Sequence, residues 1–445
     1  MVFLIFAGIT RIACMKKIRL VLCLLLVMKF ASAQFLMDMV DTSKNMGKGL
    51  LSLYKKFDRI NIGGYIQPQF QVAGEKGAKG YAGGDFAPYV SNRFMIRRGR
   101  IRFEYARFTD EGQASVQFVF QFDGTERGVF IRDFWGRYFE NKWELFSFSM
   151  GMFARPFGYE VNLASSDRES PERGRMSQIL MKTERDLGAM ISFEPRRKNH
   201  PLRRLKIDAG LFNGQGLTAI GDYDNYKDFI GRISLKPAPL TRNLFFSAGI
   251  STLQGGFLQN TPTMFHIRTD AGGDKNFLPD SALSNTGREA PRKYYGADMQ
   301  WKIKHAWGAT EFRAEYIRGT QTAVAASSET PAALLQEPSY VRHFDGAYFY
   351  FLQNILSPKH QLCVKYDWYD PNSDIKGMDI GRPGTNINST NIKFSTLGLG
   401  YIYYCNENVK LVLWYDRIRN ERTQLPGYTE DLKDDVLTCR LQFRF

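Results

Sequence analysis

Apolar and polar residues alternate one by one through most of this chain. The end is the clearest case: Leu437, Cys439, Leu441, Phe443 and Phe445 share one face, and Val436, Thr438, Arg440, Gln442 and Arg444 share the other. A period of two marks a β-strand whose faces meet different surroundings. The same pattern sets Leu205, Ile207, Ala209 and Leu211 against Lys206, Asp208 and Gly210. It also sets Tyr295, Ala297, Met299 and Trp301 against Asp298, Gln300 and Lys302, and Leu362, Val364, Tyr366 and Trp368 against Cys363, Lys365 and Asp367. From Asn61 onward about sixteen such segments follow one another. They lie near 60–72, 93–108, 114–124, 129–140, 143–155, 186–194, 204–213 and 226–236, then 243–253, 293–303, 307–319, 342–353, 359–369, 392–404, 408–417 and 435–445.

The links between segments alternate in length. Short ones fall at Asp110 to Gly112, Asn141-Lys142, Pro237 to Pro239, Lys304-His305, Ser357-Pro358 and Asn406-Glu407. Long ones span 73–92, 156–185, 214–225, 254–292, 320–341, 370–391 and 418–434, with 125–128 the one short exception. After residue 33 no apolar run reaches the length of a membrane-spanning helix, so a membrane form requires a closed barrel. The expected fold is therefore all-β: a 16-stranded antiparallel transmembrane β-barrel over 60–445, with short periplasmic turns and long outer loops.

The start of the chain has a different grammar. Met15 to Arg19 form a basic segment, Leu20 to Val27 an apolar one, and Ala31-Ser32-Ala33 a small-residue cleavage site. Residues 1–33 are thus expected to be a signal peptide with its true start at Met15, which directs the chain to the outer membrane of a Gram-negative cell. Residues 34–59 carry Leu36, Met39, Val40, Leu50, Leu51, Leu53, Tyr54 and Phe57, closer to a helical stripe than to a strand. They are expected to form a short periplasmic helix or a flexible lead-in.

The formal charge is +15, and the signal segment holds Arg11, Lys16, Lys17, Arg19 and Lys29. Removing these five leaves 55 basic residues of the 60 against 45 acidic, a charge of +10. In an exported barrel such an excess points to anionic solutes or an acidic surface rather than nucleic acid. Cys363, Cys405 and Cys439 are sparse, odd in number and without metal-ligand spacing, so neither a disulfide framework nor a metal site is expected. No cofactor is implied.

Alternation in 93–108 places Arg98, Arg100, Arg102 and Glu104 on one face, toward the lumen. Guanidinium groups in register along a wet wall attract anions and match phosphate or carboxylate oxygens. The same reading turns Lys206, Arg232, Lys302, Arg313, Lys365, Lys410, Arg440 and Arg444 inward, against Asp208, Asp298, Glu311, Glu315, Asp367 and Asp416. The third long link, 156–185, adds Arg168, Arg173, Arg175, Lys182 and Arg185 among Asp167, Glu169, Glu172 and Glu184.

Gly151 to Glu160, the link behind it and Arg185-Asp186-Leu187-Gly188 resemble the phosphate-selective porin O and P family. So do Gly64 to Phe70 and the arginine-rich second segment, and the likeness points to a Bacteroidetes-type member. A terminal Phe such as Phe445 resembles the signal that outer-membrane proteins present to their assembly machinery. The family likeness implies a trimeric sixteen-stranded barrel whose third loop folds inward and narrows the pore, passing phosphate or related anions. Its setting would be outer-membrane lipid and lipopolysaccharide. The loop here is mixed in sign and mostly arginine, where the best-known members are rich in lysine.

Two other classes compete. A general-diffusion pore or a surface receptor or adhesin would use the same scaffold, with 254–292 and 319–342 as its contact loops. A lipid hydrolase would need a Ser/His pair, but His200, His266, His305, His343 and His360 fall in turns, loops or strand ends with no nucleophile motif. No enzyme is expected.

Overall fold

The computed structural model describes residues 60–219 and 221–445, and the expected signal peptide and lead-in lie outside them. Nine strands come first: β1 Ile60–Ala73, β2 Asn92–Phe108, β3 Ala114–Thr125, β4 Gly128–Phe139, β5 Phe146–Ala154, β6 Arg185–Phe193, β7 Leu205–Phe212, β8 Asp228–Pro239 and β9 Leu244–Leu258. A short pair, β10 Thr263–Thr269 and β11 Lys275–Ser281, is followed by seven more. These are β12 Glu289–His305, β13 Gly308–Ala323, β14 Ser339–Ile355, β15 Ser357–Asp370, β16 Phe394–Tyr404, β17 Val409–Asn420 and β18 Val436–Arg444.

Sixteen of these strands close a barrel. Each pairs antiparallel with its neighbours, β9 passes directly to β12, and β18 returns to β1 with Tyr65 opposite Arg444. Phe445 completes the seam, exchanging backbone hydrogen bonds with Gly64 at 3.1 and 3.0 Å. Closure leaves no unpaired edge, which a bilayer requires.

The period of two is what the wall uses. Ile101, Phe120, Phe134, Ile191, Leu211 and Ile250 stand exposed outside, while Arg100, Gln121, Asp133, Ser192, Asp208 and Ser251 are turned inward. Among the described residues no helix is long and apolar enough to cross a membrane.

The long link 254–292 is more ordered than expected. β9 continues to Leu258 and β12 begins at Glu289, and between them β10 and β11 form a hairpin that pairs briefly, in parallel, with the start of β14. Gly255 and Gly256 hid the extension of β9. A side chain at Gly255 would strike Asp228 at 2.1 Å, and one at Gly256 the carbonyl of Ala290 at 2.1 Å. The glycines are required by crowding rather than by a turn.

Candidate functional site

Residues 155–184 run inside the barrel between β5 and β6. The turn that sends them inward sits at Gly158, in the left-handed region with φ +67°, and a side chain there would meet Glu315 Oε1 at 2.1 Å. Glu315 of β13 accepts the backbone N–H groups of Tyr159 and Glu160 at 3.1 and 3.0 Å. Glu160 then gathers the Gly174 N–H, the Ser177 hydroxyl at 2.6 Å and the Tyr350 hydroxyl at 3.1 Å. That second carboxylate ties the loop back on itself ahead of helix α1, Arg175–Leu180.

Met176, Ile179 and Leu180 of α1 join Phe157 and Val161 in an apolar cluster with Ile317, Phe344 and Tyr348 of the barrel wall. Part of the inner wall along β13 and β14 is therefore dry, which departs from the uniformly wet interior that alternation implies. Small and aromatic inward residues on those strands accept the loop.

On the opposite side the loop meets the arginine row. Glu172 sits against Arg98 at 2.7 Å, Arg97 at 2.8 Å and Arg440 at 2.8 Å. Burial pushes a carboxyl up, but the guanidinium groups of Arg97, Arg98 and Arg440 hold Glu172 well below the usual carboxylate range. Ser165 bonds Tyr65 at 2.6 Å and receives Arg100 at 2.8 Å. Lys410 donates to the carbonyls of Ser166 and Arg168 at 2.7 and 3.1 Å. The loop is thus fastened to strands on both sides of the lumen.

The remaining expected site residues are also engaged. Arg100 pairs with Asp123 at 3.0 Å, and Arg102 pairs with Glu104. Arg168 turns back to the carbonyls of Ser170 and Pro171 at 3.3 and 3.1 Å. Arg173 pairs with Glu184, and Arg185 with Asp133 at 3.1 Å. Arg175 stacks on Phe394, its guanidinium carbon 3.4 Å from the ring centre, and Lys182 reaches Glu329 on another outer loop at 2.6 Å. The structure brings Arg98, Arg100 and Arg168 to one side of the loop and leaves Lys182 at the outer mouth.

Several inward cations were not expected from the sequence, among them Arg132, which pairs with Asp123 and Glu184, Arg155 beside Asp186 and Arg292 on Asp228. A bulge opposite Gln67 sets Arg97 and Arg98 together, so Arg97, which the period of two turns toward lipid, also reaches Glu172. Arg137 of β4 lies inward, its Nε on Ser149 at 2.7 Å and its guanidinium over the Trp135 ring, and it makes no ion pair among the described residues.

Across these pairs the cation is repeatedly the member nearer water. Side-chain exposure is 28% against 5% for Arg97 and Glu172, 35% against 11% for Arg102 and Glu104, and 32% against 6% for Lys206 and Asp208. Arg185 and Asp133, and Arg232 and Asp298, follow the same order, while Arg100 with Asp123 and Lys236 with Glu194 reverse it, as do the deeply buried pairs of Arg313 with Glu169 and Glu311 and of Arg440 with Glu172. In the pairs that reach water most, Arg97 with Glu172, Arg102 with Glu104 and Lys206 with Asp208, the cation is the exposed member.

A closed antiparallel barrel with an apolar outer wall and a polar inner one is built for the outer membrane of a Gram-negative bacterium. No family model and no curated protein matches the chain. Among solved structures it is similar to OmpT of Vibrio cholerae lacking loop L8, with 9% identity over 87% of this chain and 99% of that one and a TM-score of 0.46. It is also similar to a triple mutant of the Rhodopseudomonas blastica porin, with 11% identity over 87% of this chain and 100% of that one and a TM-score of 0.44.

Proposed function

We propose that this barrel is a passive diffusion channel that prefers small anions, phosphate or its relatives among them. The observation that carries this reading is the orientation of the lumen ion pairs, with the cation toward water and the carboxylate behind it. At the Arg97, Arg102, Arg185 and Lys206 pairs an ion in the passage then meets the positive end first, which gives a modest preference rather than tight binding. Arg97, Arg102, Arg137, Lys206 and Arg185 form the accessible part of the path. Arg98, Arg100, Arg168 and Arg173 hold the loop in place, and Arg175 and Lys182 order its outer end.

The rest of the reading follows from export and assembly. Residues 1–33 are removed, 34–59 remain as a periplasmic lead-in, and three barrels associate through their apolar walls, facing phospholipid on one side and lipopolysaccharide on the other. The test is conductance across a planar bilayer under a salt gradient. A reversal potential of anion-selective sign is expected, larger at low salt, with added phosphate reducing chloride current. Cation selectivity at low salt overturns the anion reading. Undiminished chloride current in phosphate removes phosphate alone and leaves a general anion pore. Cross-linking in mild detergent is expected to give trimers.

A further inference from the structure

One outer loop and one turn at the opposite end of the barrel carry charge of opposite sign. The outer loop 421–435 carries Glu421, Glu430, Asp431, Asp434 and Asp435 against Arg422 and Lys433. The turn 194–204 at the other end carries Arg196, Arg197, Lys198, Arg203 and Arg204 against Glu194 alone.

That turn is one part of a continuous plate. Arg196 donates to the carbonyl of Phe146 at 2.9 Å and Arg197 to Glu144 at 3.0 Å, which binds 194–204 to the turn 140–145. The N–H of Lys236 donates to the carbonyl of Arg204 at 2.7 Å, and that of Lys304 to the carbonyl of Asn243 at 2.8 Å. The four turns therefore cap adjoining hairpins along the rim from β4 to β13, the first two bonded to each other and the third and fourth joined to the row through the ends of β8 and β12. Of the plate's three acids, Glu144 and Glu194 are already paired, with Arg197 and Lys236, and Glu140 accepts the backbone N–H groups of Trp143 and Leu145 within its own turn. Lys198, Arg204 and Arg242 make no ion pair among the described residues, and Arg203 bonds only the carbonyl of Lys198.

Large apolar side chains stand between these cations. Trp143 is 57% exposed, Leu202 48%, Leu240 56% and Trp307 58%, one in each of the four turns. Cations alone would suit any polyanion. Tryptophan and leucine set beside them suit a layer with acyl chain on one side and charged oxygen on the other. Short turns mark the periplasmic end of such barrels, level with the inner-leaflet headgroups. Guanidinium groups offer planar donors to a phosphodiester, and basic rim residues attract anionic lipid within a Debye length.

We infer that the rim formed by the turns 140–145, 194–204, 240–243 and 306–307 is a docking surface for anionic phospholipid headgroups of the inner leaflet. It binds the phosphate oxygens through Lys198, Arg203, Arg204 and Arg242 and seats the acyl chains against Trp143, Leu202, Leu240 and Trp307. This surface is separate from the lumen and does not depend on what the pore conducts.

The purified barrel in detergent is titrated with phosphatidylglycerol, cardiolipin or phosphatidylcholine, and retained lipid is counted by native mass spectrometry. The anionic lipids are expected to be retained at least about fivefold more strongly than phosphatidylcholine. The variant Lys198→Gln/Arg203→Gln/Arg204→Gln/Arg242→Gln should lose that preference, and Lys275→Gln/Arg288→Gln in the outer loop should keep it. If the fourfold variant fails to fold, Lys198→Gln/Arg242→Gln, which touches exposed residues alone, should halve the preference. Equal retention of the three lipids by the wild type overturns the proposal, as does full preference in the folded variants. Binding to purified peptidoglycan sacculi that vanishes in the variant, with no lipid preference, assigns the rim to the cell-wall polymer and also overturns it.

Discussion

Arg313 of β13 grips Glu169 of the inner loop with both terminal nitrogens, at 2.7 and 2.9 Å, and both side chains are almost sealed from solvent. A bidentate pair in such surroundings holds geometry well and tolerates the loss of one partner badly. Glu169→Gln is expected to weaken this attachment by about 3–5 kcal/mol. The barrel should still assemble, because its ladder is untouched, while single-channel records become noisier and the mean conductance rises. Unchanged noise would show that this pair does not hold the loop.

Glu172 is the matching anchor on the other wall, and its removal should act on charge as well. Glu172→Gln leaves Arg97, Arg98 and Arg440 without their shared carboxylate. The reversal potential should move further toward anion selectivity while thermal stability falls. A shift toward cations would contradict the charge layout.

Arg102 and Arg137 should matter more for selectivity than the buried Arg98. Each of Arg102→Gln and Arg137→Gln is expected to lower the anion-to-cation permeability ratio by roughly twofold in 0.1 M salt, where the Debye length is about 10 Å. In 1 M salt the difference should nearly vanish. Equal ratios for wild type and both variants at low salt would remove these residues from the path.

Gly158 gives a test by backbone geometry. Alanine at φ +67° is strained, and its Cβ would collide with the carboxylate that receives Tyr159 and Glu160. Gly158→Ala should cost more than about 1 kcal/mol in thermal unfolding. A control substitution at Gly273, in an outer turn where nothing lies within 4 Å of a new side chain, should cost less despite its φ of +87°.

The outer loop 421–435 should respond to pH. Asp434 is 4% exposed, neither carboxylate oxygen has a hydrogen-bond partner, and burial pushes its pKa up to about 6 against the opposing charge of Arg175. The folded loop therefore holds this proton more tightly than the unfolded chain. Stability is gained as pH falls from about 6 toward the ordinary Asp value near 4, and is lost as pH rises through that window. Protease nicking of the loop should be slower at pH 5 than at pH 7.5, and Asp434→Asn should flatten the difference.

The barrel was legible because lipid and lumen write opposite chemistry onto alternate residues, as β18 shows from Val436 to Arg444. Link lengths carried the topology independently. The loop's attachments were not legible, since Lys410 meets Ser166 and Arg440 meets Glu172 across more than two hundred residues of chain. Nothing in the local pattern of either segment announces that pairing. Arg97 escaped for a different reason: one extra residue in β2 breaks the period that alternation depends on. The β10–β11 hairpin escaped because Pro279 and the flanking polar residues resemble a plain loop.

An empty cylinder embedded in lipid can flatten, because opposite walls are joined only through the circumference. Here Arg440 of β18 holds the carbonyl of Pro171 at 2.6 Å, and Arg313 of β13 holds Glu169 two residues earlier. The segment between them works as a spoke across the bore. Lateral pressure then meets a strut as well as a hoop, and the wall from β13 to β18 resists flattening without any thickening of the sheet.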